Sequence, residues 1–431
     1  MVHFAYLPPL SLYIHLPWCV RKCPYCDFNS YRAPDEIDEC AYIDALLRDL
    51  DQDTPRVWGR RILSIFMGGG TPSLFSPESI DALLSGVRAR LPFDADTEVT
   101  LEANPGTVDA ERFTGFRQAG VNRLSIGIQS FEPEKLALLG RIHGREEALH
   151  ALDAARRAGF NNVNLDLMFG LPQQAPEQAL ADVRLAIGLA PEHLSLYQLT
   201  IEPNTAFAAR PPVLPDEDTV WEMQQRAQDL LARAGYRQYE VSAYAQAGKR
   251  CQHNVNYWQF GDYLGIGAGA HAKISDPQGI IRLAKLKQPN AYVARAGTPA
   301  GIISMQHLSR HDVITEFMMN ALRLTEGFPA HLFQERTGLP LATVMSVLKS
   351  AASRGLLSYE GQTIRATETG RRFLNDLLCL FLPAEDAELS RAPVTVCARS
   401  TRKQARAVPT CPGQHQQGVE QDGSSRIADL H

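Results

Sequence analysis

The sequence lacks any long hydrophobic run, which limits the classes of protein that it can encode. No stretch of the 431 residues approaches the roughly 20 apolar residues that a membrane-spanning helix needs. The segment from Met1 to Pro9 has no basic region followed by an apolar core and a small-residue cleavage site. The sequence therefore predicts neither a transmembrane segment nor a signal peptide, and we expect a protein of the reducing cytoplasm.

Cysteine is also scarce, and neither sign of charge is in large excess. The 8 cysteines are too few for a disulfide-stabilised scaffold. Lys plus Arg number 43 and Asp plus Glu number 48, which gives a net charge of −5. This balance argues against a protein that mainly coats nucleic acid. An apolar content of 45% excludes disorder along the whole chain.

Short apolar runs alternate with amphipathic helical patterns through the first half of the chain. The predicted strands span residues 12–16, 62–67, 98–102, 123–128, 163–168 and 194–199. The predicted helices between them span residues 41–50, 77–91, 110–119, 145–158 and 175–189. Such alternation predicts an α/β fold with parallel strands and right-handed crossovers. The pattern leaves open whether the sheet is open or a barrel, but in both cases function lies at the carboxyl ends of the strands.

The alternation stops near Pro211, and we divide the chain into domains over 1–250, 251–311, 312–382 and 383–431. A helix over 216–234 precedes an irregular connecting region over 251–311. The third part predicts a small winged-helix-like α+β domain, with helices over 312–324, 330–337, 341–354 and 368–381 and a hairpin of 356–358 with 363–366. The last part has no periodicity and is predicted to be a disordered tail.

A winged-helix shape raises the question of nucleic-acid binding. The helix over 341–354 offers only Lys349 and Arg354 as cations, which is a thin footprint for phosphates. We therefore expect this domain to have a packing or substrate-covering role, with no nucleic-acid partner.

Three cysteines follow the first predicted strand in close succession. Cys19, Cys23 and Cys26 form the pattern C-x3-C-x2-C, and thiolates are soft ligands suited to iron–sulfur clusters or zinc. A [4Fe–4S] cube usually takes four cysteines, so three would leave one iron open to a substrate or cofactor. The alternatives are a zinc site completed by His15 or Cys40, and three unrelated cysteines.

The motif Cys19-x3-Cys23-x-Tyr25-Cys26, placed after a strand in a strand–helix series, resembles that of the radical S-adenosylmethionine (SAM) proteins. In that family the open iron chelates SAM, and an electron from the cluster cleaves SAM to a 5′-deoxyadenosyl radical. The resemblance covers residues 10–250 and implies a partial (β/α)6 barrel of the TIM type. It also implies a [4Fe–4S] cluster on the three cysteines, with SAM as a second cofactor.

Further positions of this family fall at the ends of predicted strands. The run Gly-Gly-Gly-Thr-Pro at 68–72 follows the second strand, where glycines permit close backbone approach to the methionine end of SAM. The resemblance implies SAM contacts at Tyr13, Tyr25, Gly69, Gly70, Thr71, Glu102, Gln129, Arg141 and Asp166. Polar groups at a barrel mouth would supply the hydrogen bonds that an adenosine and a charged amino acid need. The alternatives are a plain turn for the glycines and a structural hydrogen bond for each polar residue.

The whole chain resembles the group that contains the oxygen-independent coproporphyrinogen III oxidase (HemN) and the haem chaperones of the HemW family. The oxidase carries a further cysteine two places after the third, and here that place is Phe28. The run His-Asn-Val-Asn-Tyr-Trp at 253–258 resembles the H-N-x-x-Y-W motif of the chaperones. It implies haem ligation by His253, since imidazole is a common axial ligand, with Tyr257 and Trp258 packing on the macrocycle. The alternative is a histidine with a structural role.

A second glycine-rich run, Gly-Ile-Gly-Ala-Gly-Ala-His at 265–271, superficially resembles a dinucleotide-binding loop. It is not set in a strand–turn–helix unit with a following acidic residue. We expect a backbone-packing loop, with His271 as a second candidate ligand of haem.

Three hypotheses for function follow. The first is a cytoplasmic haem chaperone that binds haem, SAM and a [4Fe–4S] cluster and passes haem to acceptor haemoproteins, respiratory enzymes among them. The second is an oxygen-independent coproporphyrinogen III oxidase-type radical SAM decarboxylase, against which Phe28 and the His253 motif count. The third is a radical enzyme or binding protein acting on RNA, which the acidic balance disfavours. The sequence favours the chaperone and leaves open whether the protein is an enzyme.

Overall fold

A twelve-stranded sheet forms the centre of the structure, a computed structural model that describes residues 4–382. Its middle consists of six parallel strands: β1 (Leu10–Leu16), β2 (Ile62–Gly69), β3 (Glu98–Ala103), β4 (Arg123–Gln129), β5 (Val163–Phe169) and β6 (His193–Gln198). Each strand pairs with the next one along the chain. Most of their residues are buried, as expected of parallel strands covered on both faces. The six predicted strands are confirmed, with small differences at their ends.

Helices connect these strands and pack on the sheet. They are α1 (Glu39–Asp53), α2 (Pro77–Arg88), α3 (Ala110–Ala119), α4 (Pro133–Leu138), α5 (Arg145–Arg157) and α6 (Pro176–Gly188). Capping side chains fix where the first two begin: Asp38 accepts from the Ala41 N–H, and Ser76 accepts from the Ser79 N–H. Such caps satisfy amide groups that lack a partner inside the helix. The α/β fold class is thereby confirmed.

The six parallel strands form a partial barrel. Next to β6 the sheet continues with β8 (Ala243–Ala245) and then β7 (Arg237–Gln238), both antiparallel to their neighbours. Next to β1 lies the parallel strand β9 (Asp262–Gly267), followed by antiparallel β10 (His271–Asp276), β11 (Gly279–Lys285) and β12 (Ile302–His307). Within residues 4–382, β1 and β6 therefore pair with different neighbours instead of closing on each other.

The region 251–311 departs from the irregular structure expected of it, because it supplies the last four strands of the sheet. Helices α7 (Ala206–Ala209) and α8 (Glu217–Arg233) precede it, and it contains α9 (Gln252–Trp258) and α10 (Pro289–Arg295). The loop expected over 265–271 is only a turn at 268–270, since Gly265 lies in β9 and the exposed His271 begins β10, but the backbone packing expected of this run is confirmed. A Cβ at Gly265 would lie 1.8 Å from the carbonyl oxygen of His271, so close packing of the two backbones requires glycine there.

A second hydrophobic core lies in the C-terminal part of the described chain. Its helices are α11 (Arg310–Ala321), α12 (Ala330–Thr337), α13 (Met345–Ser353), α14 (Glu368–Arg372) and α15 (Leu374–Cys379). Its small sheet places β15 (Thr363–Ala366) between β13 (Phe328–Pro329) and β14 (Leu357–Glu360). The predicted last helix is divided into two at Phe373, which has a non-helical backbone.

This second core also takes in Phe260 and Ile280 from the preceding region. The proposed domain boundaries therefore stay predictions, and the tail predicted for 383–431 lies outside the described residues. No helix within residues 4–382 combines the length and the apolar character needed to cross a membrane.

Candidate functional site

The cysteine loop, residues 17–33, begins where β1 ends, and backbone pairing closes its base. The two-residue strand Trp18–Cys19 pairs in parallel with Tyr31–Arg32. Lys22 spans the loop and donates from Nζ to the carbonyl oxygens of Phe28, at 3.1 Å, and Ser30, at 3.3 Å. The protein's own hydrogen bonds therefore define the shape of the loop.

Asn29 connects the cysteine loop to the adjoining part of the sheet. Its Nδ2 donates to the carbonyl oxygens of Ala268 and Lys287, both at 2.9 Å. Its own carbonyl oxygen lies 3.0 Å from Nε2 of His15. A Cβ at Gly269 would lie 2.3 Å from the Asn29 side chain. The glycine-rich turn between β9 and β10 therefore supports the cysteine loop from one side.

The thiols of Cys19, Cys23 and Cys26 are half-buried and line one cavity of about 370 Å³. Among residues 4–382, no three His, Cys, Asp or Glu side chains converge closely enough to hold a single metal ion. Three thiols distributed around a cavity fit a cluster better than one zinc ion. His15 and Cys40 do not complete a zinc site, because both ring nitrogens of His15 have hydrogen-bond partners and Cys40 is exposed on α1.

Eight of the nine residues predicted to contact SAM line this same cavity. They are Tyr25, Gly69, Gly70, Thr71, Glu102, Gln129, Arg141 and Asp166. Parallel strands bring these side chains together, since their carboxyl ends meet at one end of the barrel. The cavity thus combines thiols with polar side chains, which suits a cofactor that must reach a cluster. The contacts with SAM themselves stay predictions.

At the end of β2, Gly69 and Gly70 lie so close to β1 and the cysteine loop that no side chain fits at either position. Gly69 has a φ of +113°, and a Cβ there would lie 2.4 Å from the His15 ring. A Cβ at Gly70 would lie 2.5 Å from the carbonyl oxygen of Trp18. The glycine run is therefore a requirement of close backbone approach.

Two partly buried carboxyl groups, Glu102 and Asp166, line the cavity. Glu102 accepts a hydrogen bond from the Gly69 N–H at 3.2 Å. Asp166 accepts from the hydroxyl of Ser125 at 3.0 Å and from the amide of Asn164 at 2.8 Å. Burial, together with the charge of Asp166, raises the pKa of Glu102 to about 8, and burial also raises the pKa of Asp166. A positively charged ligand would favour the ionised form of both groups.

Arg141 connects the cysteine loop to β4. Its Nη2 donates to the carbonyl oxygen of Gly127 at 2.7 Å, and its Nη1 lies 3.7 Å from Sγ of Cys23. At the end of the same strand, Gln129 has a φ of +70°, and the register of β4 against β5 shifts between Gly127 and Gln129. A left-handed backbone at a residue other than glycine costs energy and is concentrated at functional sites.

Tyr13 is the predicted SAM residue that does not line the cavity. It lies in the middle of β1, where its hydroxyl shares a hydrogen bond with Nδ1 of His15 at 3.0 Å. Its ring stacks on that of Phe66, with centroids 6.4 Å apart. Burial raises the pKa of Tyr13 well above its usual value. The structure thus gives Tyr13 a hydrogen bond in the barrel interior, and its contact with SAM remains a prediction.

His253 lies in α9, toward the amino-terminal ends of the strands. Its Nδ1 is 3.2 Å from the hydroxyl oxygen of Ser64, and its ring centroid is 5.1 Å from that of Phe66. The residue is only 9% exposed, and burial lowers its pKa to about 3, so the imidazole is neutral. Tyr257 and Trp258 pack edge to face at 5.0 Å. His253 does not line the cysteine cavity, and haem ligation by it remains a prediction.

Several further residues line the cavity that the sequence did not single out. They include Asn104, Ser125, Met168, Tyr197 and Glu202. The available signal was position, because Asn104 directly follows β3 and Met168 and Tyr197 lie near the carboxyl ends of β5 and β6. Which of two adjacent residues faces the interior depends on strand register, which the sequence alone does not provide.

Comparison with known proteins gives matches over most of the chain. The Radical SAM superfamily matches residues 13–186, and the HemN C-terminal domain matches residues 308–373. The heme chaperone HemW of Escherichia coli K12 is 52% identical over 377 residues, covering 87% of this chain and 99% of that protein. The heme chaperone HemW of Haemophilus influenzae is 50% identical over 384 residues, covering 88% and 99%.

Among solved structures, the chain resembles coproporphyrinogen III oxidase (HemN) from Escherichia coli, a radical SAM enzyme. The TM-score is 0.73 at 25% sequence identity, and the match covers 87% of this chain and 90% of HemN. Radical SAM membership implies a [4Fe–4S] cluster and SAM as cofactors, and the donor set around the cavity fits both. Identity of about one half along nearly the full length of two HemW proteins is the more specific finding. The chain therefore belongs to the HemW family of the radical SAM superfamily.

Proposed function

We propose that the protein is a cytoplasmic haem chaperone that binds haem, carries a SAM-coordinated [4Fe–4S] cluster and delivers haem to acceptor haemoproteins. The observation that carries this proposal is the thiol-lined cavity in a chain 52% identical to a haem chaperone. Respiratory haemoproteins are the proposed acceptors. A net charge of −5 gives no support for a nucleic-acid partner.

The proposed cluster is held by Cys19, Cys23 and Cys26, and its open iron supplies a binding site for the amino and carboxylate groups of SAM. The chain's own residues position the rest of the cofactor. The glycine run at the end of β2 admits the methionine end, and the carboxylates of Glu102 and Asp166 offset the positive charge of SAM. Such convergent polar groups in a cleft are the usual means of fixing a cofactor's orientation.

His253 is the proposed ligand of the haem iron. A neutral imidazole is the form that ligates iron, and burial in the barrel already holds His253 in that form, with a pKa of about 3. Its ring packs beside Ser64 and Phe66 in the barrel interior. Ligation therefore requires the first turn of α9 to move away from the barrel. A titration with haem tests this role, because His253→Ala should change the haem spectrum, whereas an unchanged spectrum and affinity would remove His253 from the site.

The second candidate function is that of an oxygen-independent coproporphyrinogen III oxidase, which the likeness to HemN favours. Phe28 counts against it, because it occupies the place of the oxidase's further cysteine. This side chain is 62% exposed and lines the cavity. The position thus places an aromatic ring at the cavity in place of a cysteine.

One assay separates the two functions. The cluster-loaded protein is incubated without oxygen with dithionite, SAM and coproporphyrinogen III, and haem binding is measured on the same preparation. The chaperone proposal predicts haem binding and no protoporphyrinogen beyond a single turnover. Protoporphyrinogen formed over many turnovers would replace the chaperone proposal with the oxidase.

A further inference from the structure

A second concave site, the basal groove, lies at the amino-terminal end of the barrel, opposite the cysteine loop. Its volume is about 520 Å³, within the range of about 300–1,000 Å³ typical of small-molecule sites. It is bounded by the segment before β1, the start of β2, Arg237 of β7, the chain from the end of β8 to Arg250 and one side of α9. None of the residues assigned to SAM or the cluster lines it.

The basal groove has apolar walls. Pro9, Leu63, Ala245 and Val255 contribute to them. Leu63 is 41% exposed although it belongs to a strand whose neighbouring residues, Ile62 among them, are buried. Apolar side chains exposed in a concave site are typical of ligand binding.

Two charged residues, Arg237 and Arg250, are among the described residues that line the basal groove, and both are positively charged. Arg250 donates to Glu326 at 2.7 Å, and the two side chains are 41% and 63% exposed, so this pair is weak and replaceable. Arg237 belongs to no ion pair among residues 4–382 and lies close enough to Glu326 to contribute to the lowering of its pKa. The mouth of the groove is therefore a place where arginines already attract one carboxylate.

We propose that the basal groove is the docking site of the haem, with the macrocycle against Leu63 and Val255 and the propionates on Arg237 and Arg250. The proposal rests on the haem-chaperone function. Haem is an apolar disc with two carboxylates on one edge, which matches an apolar groove with two guanidinium groups at its mouth. Guanidinium groups pair with carboxylates through two parallel hydrogen bonds, and this fixes orientation as well as charge.

The basal groove recognises the porphyrin, while the iron ligand comes from elsewhere. Among its described lining residues there is no His, Cys, Met or Tyr. Gln252 and Asn256 line the groove from α9, and His253 projects from the same helix into the barrel. Docking in the groove therefore places haem beside the helix that carries the proposed ligand, before that ligand reaches the iron.

Metal-free protoporphyrin IX is the direct probe, because it has the propionates and no iron. It is titrated into the full-length, cluster-loaded protein under anaerobic conditions and followed by its fluorescence. We expect the double variant Arg237→Gln/Arg250→Gln to bind at least about tenfold more weakly, since it loses the charge-assisted hydrogen bonds to both propionates. Arg233→Gln, an exposed arginine of α8 outside the groove, is the matched control and should bind like the wild type.

Two single variants test the groove in opposite directions. Leu63→Glu places a carboxylate on the apolar wall and should weaken binding. Glu326→Gln releases Arg250 from its internal partner and should strengthen it. The dimethyl ester of protoporphyrin lacks both carboxylates and should not discriminate between the wild type and the double variant. Retained cluster absorbance and circular dichroism show that each variant is folded.

The outcomes separate this proposal from the proposed function. Equal binding of protoporphyrin IX to the wild type, the double variant and Leu63→Glu would overturn the basal groove as docking site, while haem binding by the wild type would leave the chaperone function standing. A wild-type protein that binds neither haem nor protoporphyrin IX would overturn both.

Discussion

Asp166 and Glu102 line one cavity, and the charge of Asp166 adds to burial in raising the pKa of Glu102 to about 8. This relationship connects the stability of the fold to the charge state of the site. The ordinary pKa of Glu102 is 4.5, so between pH 4.5 and 8 the folded chain holds a proton that the unfolded chain has lost. Because the folded state binds more protons in this window, the free energy of unfolding falls as the pH rises through it.

Glu102→Gln removes that proton-linked loss of stability. We expect the free energy of unfolding of the wild type to fall between pH 4.5 and 8 by up to about 4 kcal/mol more than that of the variant, since one unit of pKa corresponds to about 1.4 kcal/mol. Chemical denaturation at a series of pH values measures the difference. Because the charges of Glu102 and Asp166 interact, the difference between the two curves reports the titration of this pair. Parallel curves for the two proteins would show that Glu102 ionises normally in the fold.

The same pair predicts how SAM binding depends on pH. SAM carries a positively charged sulfonium group, which favours the ionised form of Glu102. We expect the affinity for SAM to increase as the pH rises toward about 8, with release of a proton on binding, and we expect Glu102→Gln to bind more weakly with a flatter profile. Calorimetry in two buffers of different ionisation enthalpy measures both quantities. A wild-type affinity that is independent of pH would separate Glu102 from SAM.

Each of the three cysteines of the loop is predicted to be required for binding the cluster. We expect Cys19→Ser, Cys23→Ser and Cys26→Ser, each alone, to lose most of the brown cluster absorbance after anaerobic reconstitution. Cys40→Ser changes an exposed cysteine of α1 that does not line the cavity, and it should retain the full absorbance. Iron and sulfide analysis quantifies the loss. Full cluster content in all three loop variants would refute the assignment.

The glycine at the end of β2 is predicted to be indispensable for both fold and site. Gly69→Ala forces a side chain into a left-handed backbone and against the ring of His15, which should cost at least about 1–2 kcal/mol of stability and abolish SAM binding. Gly188→Ala is the control, because a Cβ at the end of α6 meets no atom within 4 Å. A helical Gly→Ala change there should be neutral or stabilising by up to about 1 kcal/mol. Equal thermal stability of the two variants would contradict the role given to Gly69.

The parallel strands and their helices could be predicted because their signals are local. Continuous buried apolar runs and helical spacing of leucines depend on residues close in sequence, and they recovered all six strands of the barrel. The strands over 262–307 could not be found in this way. β9 pairs with β1, from the other end of the barrel domain's sequence, and Gly265 interrupts its apolar pattern. From the sequence alone, a glycine at this position indicates a loop. In the structure glycine is required there because a Cβ would clash with the carbonyl oxygen of His271.

The cavity was predictable where residues lie at strand ends, whereas inside strands the position in sequence does not decide the outcome. Thr71 follows β2 and lines the cavity. Asp166 lies in the middle of β5 and also lines it, but Tyr13 lies in the middle of β1 and bonds to His15 instead. The position of His253 could not be read from its motif, since the motif describes which residues are neighbours in α9 and not which of them faces the barrel. The basal groove has no sequence signature, because its walls come from four separated segments.

Delivery of haem to another protein defines the proposed function, and the rate of that transfer can be measured. Cluster-loaded protein carrying one haem is mixed with a respiratory apo-haemoprotein, and the gain of the acceptor's characteristic spectrum is followed in time. The rate at which haem escapes to a scavenging apoprotein present in excess is measured in parallel. We expect the acceptor to gain haem faster than haem escapes to the scavenger, which requires contact between donor and acceptor. Transfer no faster than escape to the scavenger would contradict it.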